Sequence, residues 1–146
     1  MVGCIVTEVV EFSEVHRPMS WGEMDLFGHL NNVHYFRYLE DARIAFLDQL
    51  RFFDAKLYSV ILKNECEYQH PVTYPDVLIT RSYVTDVGHT SFTMLYEIVS
   101  KQQGNIVAIG KSVIVIVNPT TFQKQAIPNQ VKTHLLSYMM QFKYKD

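Results

Sequence analysis

Cysteine is scarce in this chain: two residues in 146, Cys4 and Cys66. Two cysteines cannot build a disulfide framework, and neither stands in a CxxC or finger-like spacing, which argues against a stapled secreted scaffold and a structural zinc site. Glycine (6) and proline (5) are too few for a loop-dominated scaffold. Neither sign of charge prevails: 13 Lys and Arg face 15 Asp and Glu, for a net charge of −2. That removes the overall basic footprint expected of a nucleic-acid binder, although a local basic patch is left open. Long apolar runs are missing too. The strongest near the C-terminal end, SVIVIV at 112–117, falls far short of the ~20 residues a membrane helix needs. The first residues, MVGCIVTEVVEF, lack a basic leader region and are interrupted by Thr7 and Glu8, unlike a signal peptide. The expectation is a soluble, cytoplasmic protein of a reducing compartment, without membrane insertion. Histidines at 16, 29, 34, 70, 89 and 134 show no HxH or HxxxH spacing, so no metal site is expected.

What the chain does have is enough apolar material for a core, 48% hydrophobic against 19% charged residues. No repeat or linker-like stretch divides it, so 1–146 reads as a single domain. Residues 5–18 are rich in β-branched side chains and read as a front strand. After a loop with glycines at 22 and 28, residues 33–50 contain neither Gly nor Pro. Val33, Phe36, Leu39, Ala42, Phe46 and Leu50 form one helical face, and Tyr35, Tyr38, Ala45 and Leu47 widen it. Arg37, Asp41 and Asp48 leave only a narrow polar strip. A helix this apolar must be largely enclosed. Strands are then predicted at 58–69, 77–87, 91–100 and 106–117, the last three joined by short turns into an antiparallel meander. Residues 129–142 read as a short tail helix with Val131, Leu135, Tyr138, Met139 and Phe142 on one side. The fold class is therefore α+β: a curved antiparallel sheet wrapped around one long central helix. Exposed sheet edges and a half-covered helix call for self-association.

The chemistry concentrates before the long helix, in WGEMDLFGHLNN at 21–32. Asp25, His29, Asn31 and Asn32 fall within eight residues there, against a helix start where backbone N–H groups lack partners and the dipole is positive. That arrangement suits holding an oxyanion while a carboxylate, or water activated by it, attacks a carbonyl.

The string D-x-F-G-H-L-N-N-x-x-Y-x-x-Y-x-E-x-A-R, read from 25 to 43, strongly resembles the hotdog-fold acyl-CoA thioesterases of the 4-hydroxybenzoyl-CoA thioesterase type. The order strand, loop, long helix, four strands is similar over most of the chain. The resemblance implies hydrolysis of an acyl-CoA thioester without metal or other cofactor, in a homodimer, or a homotetramer built from it, with the pocket between subunits. Asp25 matches the family's catalytic carboxylate, either attacking the thioester carbonyl or activating water; a loop carboxylate that merely caps a turn is the plain alternative. Asn32 falls where the family polarises the carbonyl with a backbone N–H. His29 positions water or a carbonyl, or only hydrogen-bonds within the loop. Gly28, Asn31 and Tyr35 are the substrate-binding candidates, with Gly28 supplying backbone freedom at the loop.

Rivals stand beside this reading. One branch of hotdog thioesterases uses a helix-borne acid, which would be Glu40, but a Glu40–Arg43 ion pair explains that residue structurally. Tyr35 and Tyr38 line an acyl pocket or simply belong to the core. His70 and His89 read as structural or exposed, and Cys66 has no motif support as a nucleophile. Lys63, Arg81, Lys101 and Lys111 are the candidate cations for CoA phosphates. A hotdog hydratase or dehydratase acting on enoyl- or hydroxyacyl-thioesters, and a non-catalytic acyl-CoA-binding module, are the alternative functions.

Overall fold

The computed structural model describes residues 4–9 and 12–145, with side chains from 12 to 139. In chain order its elements are β1 (Cys4–Val9), β2 (Ser13–Pro18), a short 3-10 turn (Trp21–Glu23), α1 (Asn32–Gln49), β3 (Tyr58–Tyr68), β4 (Val77–Val87), β5 (Ser91–Ser100), β6 (Asn105–Val117), α2 (Asn129–Ser137) and β7 (Met140–Lys145). Five strands form one antiparallel sheet in the order β2-β4-β5-β6-β3. The connection from β2 to β3 runs from one edge of that sheet to the other, and this crossing lays α1 over the sheet, against β2, β4 and β3.

Strict alternation makes the inner face. Along β5, Phe92, Met94, Tyr96, Ile98 and Ser100 are buried, while the residues between them are half-exposed. Leu39, Ala42 and Phe46 of α1 are wholly buried against this face. Full burial of a leucine or phenylalanine contributes ~1.5–3 kcal/mol, well beyond the ≤ ~0.7 kcal/mol that separates ordinary residues in helix propensity. Packing therefore holds α1 in place. Gly110 of β6 permits the closest approach: a Cβ there would lie 2.6 Å from a Leu39 methyl. Of the expected helical face, Val33 is the exception, being exposed in the first turn of α1.

Three expectations need correction. The front strand at 5–18 is two strands: β1 pairs with β7 in a separate two-stranded sheet, whereas β2 pairs with β4. Both segments have strand-forming composition, so nothing local marks the switch of partner. The tail helix ends at Ser137, not at 142. There the Tyr138 C=O accepts from Val84 N–H (3.1 Å) and the chain continues as β7; pairing with distant β1 overrides a helical period. The Glu40–Arg43 pair is also absent. Glu40 lies 3.8 Å from Arg37, while Arg43 is buried with its Nη1 3.4 Å from both Tyr96 Oη and Ser112 Oγ. Either arginine can share a helix flank with Glu40, and the inward position of Arg43 decides between them.

Candidate active site

The loop between the 3-10 turn and α1 is a miniature hairpin. Met24 bridges to Leu30, Asp25 N–H donates to the His29 carbonyl (2.7 Å), and Gly28 N–H donates to the Asp25 carbonyl (3.1 Å). Gly28 sits at φ 78°, the left-handed region that costs other L-residues ~1–2 kcal/mol, so glycine is needed to close the turn. Asp25 itself organises the turn, its Oδ1 accepting from Phe27 N–H (2.9 Å) and His29 N–H (3.2 Å). Beyond it, Leu30 N–H donates to the Val72 carbonyl (2.8 Å) and Asn31 N–H to the Glu23 carbonyl (3.0 Å). Asn31 is the N-cap of α1, with its side chain accepting from Val33 N–H (3.1 Å). Asn32 is the first helical residue, whose N–H has no acceptor within the helix.

Asp25 and this helix start face one cleft of about 290 Å³, lined by Asp25, His29, Leu30, Asn32, Tyr35, Tyr68, Gln69, His70 and Pro71. Four of the six sequence-derived candidates thus meet: Asp25, His29, Asn32 and Tyr35. Gly28 and Asn31 do not line the cleft; they shape the turn and cap the helix. The turn-capping reading of Asp25 and its cleft position hold together, because only one of its oxygens is taken by the turn amides.

The opposite wall comes from the end of β3 and the segment after it. Tyr68 Oη donates to the Asn32 carbonyl (3.0 Å), and its ring meets Tyr35 edge-on at 4.9 Å. Burial above all, helped by Cys66, Tyr68 and the negative field of Asp25, pushes the Tyr35 hydroxyl up to about 12. It therefore remains a proton-bearing donor at neutral pH. Tyr68, Gln69 and Pro71 escaped sequence reading because only the β3–β6 pairing and the chain path bring them to the loop. His70, read as structural or exposed, stands in the cleft wall as well. Glu23 also escaped notice, although Ser20-x-x-Glu23 has the spacing of a capping box. None of Lys63, Arg81, Lys101 and Lys111 lines this cleft. Lys63 lies 3.4 Å from Glu65 and Arg81 3.1 Å from Glu14, and the other two line separate clefts. Glu40 does not line it either.

Cys66 lies beside Tyr68, and burial pushes its thiol up to about 11 from an ordinary value near 9, despite the lowering effect of its Tyr68 hydrogen bond. Two units remove about 99% of the thiolate otherwise present near neutrality. Site-resolved mass spectrometry at pH 7.5 should therefore find iodoacetamide labelling of Cys66 ~10-fold slower than that of a free cysteine peptide, the loss of thiolate outweighing the greater nucleophilicity of a higher-pKa thiolate. Labelling at the peptide rate would contradict the half-buried setting of the thiol.

An antiparallel sheet of this order, with one long helix laid across its inner face, is the hotdog fold. The chain belongs to the Thioesterase-like superfamily, whose family model matches residues 19–135. It is similar to "Uncharacterized protein YsmA" of Bacillus subtilis (strain 168), with 31% identity over 78 residues, 52% of this chain and 53% of that protein. It also resembles a "Putative esterase" of Aquifex aeolicus (strain VF5), with 33% identity over 85 residues, 55% of this chain and 66% of that protein. Both matches thus span less than two thirds of the relative's length. Among solved structures, "PA2801 protein, a putative Thioesterase from Pseudomonas aeruginosa" superimposes with a TM-score of 0.78 and 25% identity, covering 88% of this chain and 99% of that one. No described helix is long and apolar enough to cross a membrane.

Proposed function

We propose that this protein hydrolyses acyl-CoA thioesters to a carboxylic acid and free CoA, in the manner of 4-hydroxybenzoyl-CoA thioesterases, without a metal or redox cofactor. Superfamily membership and the likeness to the Pseudomonas protein support thioester hydrolysis. The observation that carries the reading is the meeting, in one cleft, of the Asp25 carboxylate and the first residue of α1, Asn32, whose N–H has no acceptor within the helix. A thioester carbonyl whose oxygen takes the Asn32 N–H has its carbon polarised, and the helix dipole favours the negative charge that develops. Asp25 then acts in one of two ways. As a nucleophile it forms a mixed anhydride and expels CoA thiolate, and water cleaves the anhydride. As a general base it takes a proton from water while that water attacks the carbonyl. The tetrahedral adduct then collapses by breaking the C–S bond, the CoA thiolate leaving and taking up the proton. In either case His29, Tyr35 and His70 supply polar groups for the leaving thiolate, the acyl group and the incoming water.

Incubating the protein with short, medium, long and aromatic acyl-CoAs in buffer containing EDTA tests the reading. Stoichiometric release of free thiol and acid is expected. Hydration of an enoyl-CoA without thiol release would favour the hydratase alternative, and binding without turnover a binding module.

The cleft is proposed to be completed by a second copy of the chain. β3 ends one side of the sheet and exposes Val60, Ile61 and Leu62, the last at 69%. Trp21, Leu26, Phe27 and Val33 are exposed around the candidate loop. An apolar sheet edge of this kind invites pairing with another strand. Multi-angle light scattering at micromolar concentration should give about twice the 17.0 kDa chain mass or a higher multiple. A well-folded species of single-chain mass would contradict the assembly and leave the cleft without its second wall.

A further inference from the structure

Glu23 is buried to 6% exposure two residues before Asp25, and the chemistry proposed for the cleft makes no use of it. A buried carboxylate is costly unless it is held by donors and cations. Its Oε1 accepts from Ser20 N–H (2.6 Å) and from Tyr38 Oη (3.0 Å). Its Oε2 has no hydrogen bond, with Arg17 Nη2 at 3.6 Å and His34 Nδ1 at 3.9 Å. Arg17 is anchored in turn: Nη1 lies 2.6 Å from Asp41 Oδ2, and the guanidinium stacks on the Tyr38 ring at 4.3 Å. The main chain of the same residue closes the base of the hairpin, since the Glu23 carbonyl accepts from Asn31 N–H. One residue therefore ties the hairpin base to β2 through Arg17 and to the first two turns of α1 through His34 and Tyr38.

We propose that Glu23 is a positioning residue that sets Asp25 in register with the Asn32 N–H. The inference rests on the thioesterase reading for its kinetic consequence, but not for its structural one. Asp25 is carried on a hairpin whose tip, Leu26 to Gly28, is exposed and whose C-terminal arm is held at Leu30 by the Val72 carbonyl. Asn32 begins a packed helix, so the arm that carries Asp25 needs its own link to that helix. Glu23 and Tyr38 are buried and join the two. A shift of about 1 Å between attacking group and carbonyl site costs up to ~10²-fold in rate.

The test uses Glu23→Ala, Glu23→Gln and Tyr38→Phe in the full chain. Acyl-CoA kinetics should show kcat about 10- to 100-fold lower for Glu23→Ala with KM changed little, because the fault lies in alignment. Tyr38→Phe, which loses only the hydroxyl link, should lie between wild type and Glu23→Ala. Glu23→Gln keeps an oxygen for Ser20 and Tyr38 and should restore most of kcat. Amide hydrogen exchange by NMR supplies a readout independent of turnover. His29, Leu30 and Asn31 should exchange faster in Glu23→Ala and Tyr38→Phe, with β5 amides unchanged. Wild-type kcat together with wild-type loop exchange in both variants would overturn the proposal. If Glu23→Ala loosens β5 as well, Tyr38→Phe decides alone. If the wild-type protein releases no thiol from any acyl-CoA, the functional reading fails, and loop exchange still decides whether Glu23 holds the hairpin.

Discussion

Asp25→Asn is expected to lower kcat for acyl-CoA hydrolysis by ~10²–10⁴-fold while KM changes only a few-fold. Asparagine is nearly isosteric, and its Oδ1 can still accept from Phe27 and His29 N–H, so the hairpin should persist. What is lost is a group able to attack the carbonyl or take a proton from water, an interaction made in the transition state. Alanine would be a poorer probe, because it also removes the acceptor that shapes the turn. Steady-state kinetics beside a thermal melt checks the prediction. Glu40→Gln provides the contrast: Glu40 pairs with Arg37 outside the cleft, and its substitution should leave most of the activity. Near wild-type turnover by Asp25→Asn would remove the centre of the account and make Glu40 the next acid to examine.

Asn32→Pro should cost ~10²–10³-fold in kcat, the range found when one oxyanion donor is removed. Proline is tolerated at the first position of a helix, where its missing N–H breaks no helical hydrogen bond. The preceding Asn31, at φ −61° and ψ 133°, already has the conformation a following proline requires. The variant therefore deletes one N–H with little other damage. Asn32→Ala keeps that N–H and should retain turnover, with little loss of stability because Asn31 is the cap. The capping loss of ~0.5–2 kcal/mol should instead appear in Asn31→Ala. Kinetics and thermal melts of the three variants check this. Asn32→Ala as inactive as Asn32→Pro, with both folded, would show that the side chain matters.

Local signals carried much of this fold. The Gly- and Pro-free segment after Asn32 announced α1, and Gly88 and the glycine of Gln102-Gln103-Gly104-Asn105 marked the turns of the meander. Long-range pairing was not legible. Cys4–Val9 and Met140–Lys145 form a sheet across nearly the full chain length, and neither segment names its partner. The site divides in the same way. Asp25, His29, Asn32 and Tyr35 lie within eleven residues on one loop and one helix turn, where spacing alone brings them together. Tyr68 and His70 reach the cleft only through the register of β3 against β6. Arg43 was paired with the wrong residue because helix spacing allows Glu40 either Arg37 or Arg43, and only packing shows which arginine turns inward. Glu23 carries no distinctive local pattern beyond a capping spacing, and its burial depends on Arg17 from β2 and Tyr38 from α1.

A single-turnover reaction in ¹⁸O-enriched water, with enzyme in excess over an acyl-CoA that the protein accepts, tests most directly whether the thioester is hydrolysed at Asp25. Free thiol should appear in equal amount to the acyl-CoA consumed. The heavy oxygen should be recovered in the released acid if Asp25 activates water or if water cleaves an anhydride at its acyl carbon. It should be recovered in the peptide containing Asp25 if water cleaves that anhydride at the aspartyl carbon. Parallel reactions with Asp25→Asn should release almost no thiol in the same interval. Label in a peptide carrying Glu40, or thiol release by Asp25→Asn as fast as by the wild-type protein, would contradict the account.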